Sequence, residues 1–155
     1  MKFEIATKSL QKALWVVSHA TAGITTTPIL ENILIKVNYK SIVLTANNLE
    51  MAIEYIIEDD VKIISEWAFS LPSKLFGSYI GLLQDDTISL ELTWSDSVEI
   101  KSESGKTKIK GIAAHEFPVI PSIKEELSLS LKGEVVRRSI EKTLFSSAEW
   151  NIRPT

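Results

Sequence analysis

The sequence of 155 residues contains no cysteine, which removes disulfides, thiolate zinc sites and cysteine nucleophiles together. Two histidines, His19 and His115, are the only side chains whose ordinary titration range lies near neutrality. No apolar run reaches the ~18 residues that mark a membrane-spanning helix. The opening MKFEIATKSLQKAL lacks the continuous apolar stretch ending in small residues that marks a signal peptide. There is no glycine-rich phosphate loop, no Walker pattern and no serine elbow. Asp85-Asp86 and Glu58-Asp59-Asp60 read as solvated acidic turns, and His115-Glu116 are neighbours whose side chains point apart in an extended chain. The sequence therefore supports no catalytic residue, no metal ligand and no cofactor, and the expected location is the cytoplasm, away from membranes.

What is present describes a chain that folds. It is 45% hydrophobic and 24% charged, and at this length roughly two thirds of the unfolded surface can be buried. Disorder is excluded on that composition. The net charge of −3 argues against a globally basic nucleic-acid binder, but it is unevenly spread. Residues 1–28 carry +2, residues 29–66 carry −4, residues 67–118 carry −2 and residues 119–155 carry +1. Alternating segments of this kind allow a fold that is negative outside and positive on one face.

Period-2 patterning dominates. Strands are expected over Lys2–Thr7, Leu30–Val37, Ser41–Ala46, Glu50–Glu58, Thr87–Thr93, Ser97–Ser102 and Thr107–Ile112, separated by turn residues such as Asp85-Asp86, Ser95-Asp96 and Ser104-Gly105. Two segments switch to helical spacing. In Lys8–Ala20 the apolar positions are Leu10, Ala13, Leu14 and Val17, with Lys8, Gln11, Lys12, Trp15 and His19 on the other face. In Ser73–Leu83 the stripe is Leu75, Phe76, Tyr79, Ile80 and Leu83, opened by Pro72-Ser73. Thr7 or Ser9 is the expected cap of the first helix.

Strand, helix and three strands follow one another over residues 2–58 and again over 67–112, and a third unit opens with a strand at Leu127–Lys132 and a helix at Gly133–Ser147. The junctions FEIATKSL, AFSLPSKL and LSLSLKGEVV look like versions of one another, so the chain carries an internal repeat of about half a domain. The expected class is α+β: two βαβββ half-repeats, with helices on one face and antiparallel sheets on the other. The stretch from His115 to Pro121 holds two prolines and reads as a linker. The organisation expected is one domain over 1–118, a linker over 119–126 and the opening of a second domain over 127–155.

Particular residues add a resemblance. Met1-Lys-Phe3, Thr26-Thr-Pro-Ile-Leu-Glu-Asn32, Leu44-Thr-Ala-Asn-Asn-Leu-Glu50, Leu71-Pro-Ser-Lys74, Ser104-Gly-Lys-Thr-Lys-Ile109 and Glu116-Phe-Pro118 are similar, in order and spacing, to the bacterial DNA polymerase III beta subunits, the sliding-clamp family. Phe145-Ser-Ser-Ala and Arg153-Pro154 resemble the start of the family's second domain. The resemblance implies a DNA-clamp fold and a non-catalytic role. Full subunits have three such domains, and two subunits close head to tail into a ring around duplex DNA, where they act as the processivity factor of the replicative polymerase and are handled by a clamp loader.

That role assigns candidate residues. Lys8 and Lys12 on the first helix, and Arg137, Arg138 and Lys142 on the last, would face DNA; the plainer reading is an ordinary solvated face. Trp15 is unusual on a polar face and suits a gap at an interface. The loop Gly23-Ile-Thr-Thr-Thr-Pro28 is similar to a family loop that approaches DNA and commonly carries an arginine, where this chain has Ile24; Thr25 and Thr26 remain as hydroxyl donors to phosphate. Arg153 and Thr155 open a family segment that reaches DNA. Lys74 and the strand residues Lys106, Lys108, Ile109 and Lys110 match the family's ring interface, although lysines on an edge strand also blunt aggregation. Asn48 stands where the family normally has aspartate, and Asn47–Glu50 reads as turn chemistry. The alternative reading is a short non-enzymatic interaction module that pairs through its edge strands.

Overall fold

Alternation in Lys2–Ala6 (β1) buries Phe3 and Ile5 and leaves Lys2 and Glu4 half-buried, so the strand turns one face to the core. The computed structural model describes residues 2–23, 25–93, 96–121 and 127–147. The chain passes from β1 into helix α1, Thr7–Ser18, without an intervening turn. This is why the expected hydroxyl cap is absent: the cap position falls on Ala6, whose methyl group cannot accept a hydrogen bond. The orphan amides are met from elsewhere, Thr7 N–H donating to the Asp86 carbonyl at 2.9 Å and Ala6 N–H to that of Asp60 at 3.1 Å. Ser9 donates instead to the Asp60 carboxylate at 3.2 Å.

After α1 come β2 (Asn32–Val37), β3 (Ile42–Asn47), β4 (Ala52–Ile57) and β5 (Val61–Ile63); the second half is β6 (Trp67–Pro72), α2 (Ser73–Leu82), β7 (Thr87–Thr93), β8 (Ser97–Ser102), β9 (Gly105–Lys110) and β10 (Ile112–Ala113). The strands form two five-stranded antiparallel sheets, ordered β5-β1-β7-β8-β9 and β10-β6-β2-β3-β4. Each half therefore lends its first strand to the other half's meander: β1 pairs with β7, Ile5 opposite Ile88, and β6 pairs with β2, Leu71 opposite Ile33. The short strands β5 and β10, which periodicity did not separate, add to the outer edges of β1 and β6. The strand expected through Ile112 breaks at Gly111, where a Cβ would collide with the Ser70 carbonyl oxygen, so only glycine lets the chain cross there.

Helix α1 packs against α2 and against β1, β3 and β4, so the helices form one layer over strands of both sheets. The core runs between them, with Phe3, Leu10, Ile33, Ile35, Leu44, Leu71, Phe76 and Leu90 essentially inaccessible. Phe3 stacks on Trp67 across the two sheets at 5.6 Å between ring centroids. Between β3 and β4 the Asn47 carboxamide oxygen accepts from Leu49 N–H at 2.7 Å, and that of Asn48 accepts from Glu50 and Met51 N–H at 3.0 and 2.7 Å. Those bonds hold Leu49 at φ 73°, so the left-handed residue is the leucine rather than either asparagine.

Contacts divide the chain into a unit Met1–Ile120 and a unit Pro121–Thr155. The start of the stretch read as a linker belongs with the first unit, where Ala114–Glu116 form a 3-10 turn and Phe117 is buried. In the second unit α3 spans Gly133–Leu144, with Val135, Ile140 and Leu144 exposed. The strand expected over Leu127–Lys132 is not formed. A strand exists only with a hydrogen-bonded neighbour, and the described residues of this unit supply none.

Candidate nucleic-acid interface

The outward face of α1 collects side chains that the core pattern excludes. Lys8, Lys12 and Trp15 are exposed, while Leu10, Ala13, Leu14 and Val17 on the opposite face are buried. Neither Lys8 nor Lys12 enters an ion pair among the described residues. Trp15 is 68% exposed, and its ring meets His19 edge-on at 4.9 Å between centroids.

Lys8, Lys12 and Trp15 border a cleft of about 600 Å³ between α1 and α2, whose lining includes Gln11, Ser18, Ser73, Gly77 and Gly81 and, among the described residues, no carboxylate. One side chain holds the helices together beside it. The Gln11 carboxamide donates to the carbonyls of Ile80 and Leu83, at 2.9 and 3.1 Å, at the end of α2, where the Ile80 carbonyl also accepts from Leu83 N–H at 3.2 Å. The other lining residues on α2 are small, which is what leaves the space open.

The remaining candidates are dispersed. The Thr25 hydroxyl oxygen accepts from Thr27 N–H at 3.1 Å, making a local turn, and Thr26 is exposed beside it. Lys74 is exposed on the first turn of α2 and, among the described residues, no ion pair or hydrogen bond joins it to β9. In β9, Lys106, Lys108 and Lys110 point to one face and are exposed, whereas Ile109 points the other way into the domain's own core and is 3% exposed. The Ile109 side chain is therefore already used within the domain, and a partner would meet only its backbone edge. That edge is open among the described residues, because β9 pairs with β8 alone. On α3, Arg137 pairs with Glu141 at 2.9 Å, one turn along, while Arg138 and Lys142 are exposed. Ile24, Arg153 and Thr155 lie outside the described residues.

Two features were not anticipated from sequence. The first is the pair of glycines on α2 opposite Gln11 and Trp15; their spacing of four within a helical pattern was the available signal. The second is a charged ladder on the face of β7, β8 and β9. Lys101 bridges Glu99 at 2.7 Å and Glu91 at 3.4 Å, and Lys108 reaches Glu99 at 3.4 Å. The Lys101 hydrogen bond holds the Glu99 carboxyl below the usual carboxylate range, and the bonds from Glu99 and Glu91 raise Lys101. Asp85 is lowered similarly by the Ser104 hydroxyl, which donates to it at 2.7 Å. Among the described residues no three histidine or acidic side chains gather as metal ligands, and no helix is long and apolar enough to cross a membrane.

Comparison with known proteins agrees with the fold. Residues 1–121 match the model of the DNA polymerase III beta subunit, N-terminal domain. The chain is 34% identical over 148 residues to a beta sliding clamp of Vibrio harveyi, covering 94% of this chain and 100% of that protein. It is 30% identical to the beta sliding clamp of Vibrio cholerae, covering 99% of this chain and 42% of that relative. Among solved structures, the beta subunit from DNA polymerase of Streptococcus pyogenes superposes with a TM-score of 0.91 at 26% identity, again over 99% of this chain and 42% of the other. The chain thus spans less than half the length of the latter two.

Proposed function

The chain belongs to the family of DNA polymerase III beta subunits, the beta sliding clamps, and we propose that it serves as the part of such a clamp that lays its helices along duplex DNA and joins a second clamp subunit through the open edge of β9. In this reading the protein catalyses nothing. Its partners are duplex DNA, the second subunit, the replicative polymerase and the clamp loader, and its place is the cytoplasm. A sliding ring needs contacts to phosphate that are few, mobile and blind to base sequence, because base-reading contacts would hold it in place. Lysine suits this better than arginine, since an ammonium is a point charge on a flexible stem rather than a fixed fork.

The observation that supports this most directly is the outward face of α1: among the described residues, Lys8 and Lys12 are exposed together without ion-pair partners, above a cleft with no carboxylate in its lining. Arg138 and Lys142 would extend the same role in the second unit, with Thr25 and Thr26 adding hydroxyls. Lys74, Lys106, Lys108 and Lys110 would give the ring interface a basic side that selects an acidic partner.

Duplex binding measured across a salt series tests the DNA face. Binding should be weak, indifferent to base sequence and steeply salt-dependent, and replacing Lys8 and Lys12 by alanine should reduce the log–log slope by about 2 if each meets one phosphate. Binding that persists at high salt, or that ranks duplexes by sequence, would overturn the clamp reading. For the interface, Lys106→Glu with Lys108→Glu in a subunit of full clamp length should weaken dimerisation; an unchanged dimer constant removes these lysines from the ring contact.

A further inference from the structure

We propose that the cleft between α1 and α2 is a binding site for single-stranded nucleic acid, in which Lys8 and Lys12 meet backbone phosphates and Trp15 stacks on an unpaired base. The inference rests on the reading of the helical layer as the nucleic-acid face and names a second ligand for it.

Charge, shape and an otherwise unexplained aromatic agree on this occupant. The cleft has a volume of about 600 Å³, carries two lysines on one wall and, among the described residues, has no acidic side chain in its lining. The acids near these lysines, Asp60, Asp85 and Asp86 by Lys8 and Glu58, Asp59 and Asp60 by Lys12, line adjoining hollows, so the interior of the cleft is matched to an anion rather than to a basic partner. Trp15 stands at its border, 68% exposed, with His19 as its one ring contact among the described residues. A tryptophan left this accessible beside paired cations is the combination that single-strand binders use, one group for the base and the others for the backbone.

The floor of the cleft supports the same conclusion. A Cβ added at Gly77 or Gly81 would meet nothing within 4 Å, so the packing of α1 on α2 does not require glycine at either position. Glycine within a helix nonetheless weakens it relative to alanine. What the two glycines do provide is open space facing Lys12 and Trp15. Phosphates of a duplex would be satisfied by the lysines alone, and its bases are stacked and paired, leaving no ring face for Trp15. An unpaired strand offers such a face at every nucleotide.

The test is fluorescence anisotropy of a labelled oligothymidylate and a labelled hairpin duplex of equal phosphate number, each titrated with the whole chain. The oligothymidylate should bind more tightly than the hairpin. Trp15→Ala should weaken it roughly tenfold, the loss of one base–aromatic stack, while Trp15→Phe retains most of the affinity and neither substitution moves the hairpin. Gly81→Leu, which fills the floor without altering a charge, should weaken the single strand in the same way; thermal melts check that each variant is folded. In parallel, the fluorine resonance of Trp15 in fluorotryptophan-labelled protein, assigned by its loss in Trp15→Phe, should shift with oligothymidylate and not with the hairpin. A stationary resonance, or an oligothymidylate affinity unchanged by Trp15→Ala and Gly81→Leu, overturns the inference. If hairpin binding then still falls when Lys8 and Lys12 are replaced by alanine, the duplex-facing reading stands without it. If those lysines matter to neither ligand, both readings fall.

Discussion

Aligned from their first helical residues, Thr7 and Ser73, the two halves of the first unit can be compared position by position. Leu10 corresponds to Phe76 and Leu14 to Ile80, and all four are buried. Lys8 corresponds to Lys74, both exposed. On the faces that meet the cleft the match ends: Gln11 and Trp15 of α1 stand where α2 has Gly77 and Gly81. The outer surfaces of the sheets differ as well. The second half carries the ladder Glu91–Lys101–Glu99–Lys108 across its meander. The first half's meander has Lys36 and a hydrogen bond from the Thr45 hydroxyl to Glu54 at 3.2 Å, its ion pairs lying instead on β1 and β5, where Glu4 meets Lys2 at 3.6 Å and Lys62 at 3.4 Å. A repeated core with unlike surfaces shows that the inward positions answer to packing, which is the same in both halves, and the outward ones to whatever each half meets.

If the halves share one core through their exchanged first strands, damage to either must be felt in both. Phe76→Ala removes a fully buried ring and should cost about 3–5 kcal/mol. Amide exchange should accelerate together in β3 and β8; loss of protection in β8 alone would separate the halves into independent folding units. The next effect concerns Gln11, whose hydrogen bonds tie the unlike helix faces together. Gln11→Ala removes both hydrogen bonds to the end of α2 and should cost about 1–2 kcal/mol in urea titrations. No change would mean that water replaces the amide without penalty.

Gly77→Ala sharpens the comparison from the opposite direction. The added methyl meets no atom within 4 Å, so α2 should gain about 0.5–1 kcal/mol and the melting midpoint should rise. A fall would show that the cleft floor is closer packed than its geometry indicates. The smallest effect belongs to the charged ladder across β7, β8 and β9. Because Lys101 depresses the folded-state pKa of Glu99, the ionised carboxylate stabilises the fold above the ordinary carboxylate range, and that contribution is lost as the pH falls through the range towards the depressed value. The stability difference between the native chain and Glu99→Gln should therefore shrink on acidification, read from unfolding midpoints across a pH series. A difference that grows would reverse the assignment.

Much of this architecture was legible before folding was considered. The spacing gives the strands Thr87–Thr93 and Ser97–Ser102 the bounds they have and the second helix its start at Ser73, the helix stopping one residue short of its expected end at Leu83, since a period of two or of about 3.6 is a local property that each segment carries in its own apolar spacing. The exposure of Lys8, Lys12 and Trp15 followed from the same arithmetic. The hydroxyl cap on α1 was misread because no local signal reveals that β1 enters the helix directly and that Asp60 and Asp86 supply its acceptors. Leu127–Lys132 shows the converse, a strand-like pattern that stays irregular because alternation creates a face but not a neighbour.

Local spacing thus determined the longer strands and both helices of the first unit, most of the residues that face inward (Leu75, on the apolar stripe of α2, is 56% exposed), and that the unit is built twice. The fold decided the rest: that β1 joins β7 while β6 joins β2, that Ile109 is spent on the core while the lysines around it remain outside, and that Gln11 closes one end of a cleft which Gly77 and Gly81 keep open. Each of these depends on residues far apart in the chain being brought within a few ångströms, and hydrogen bonds, ion pairs and cavities exist only at that range.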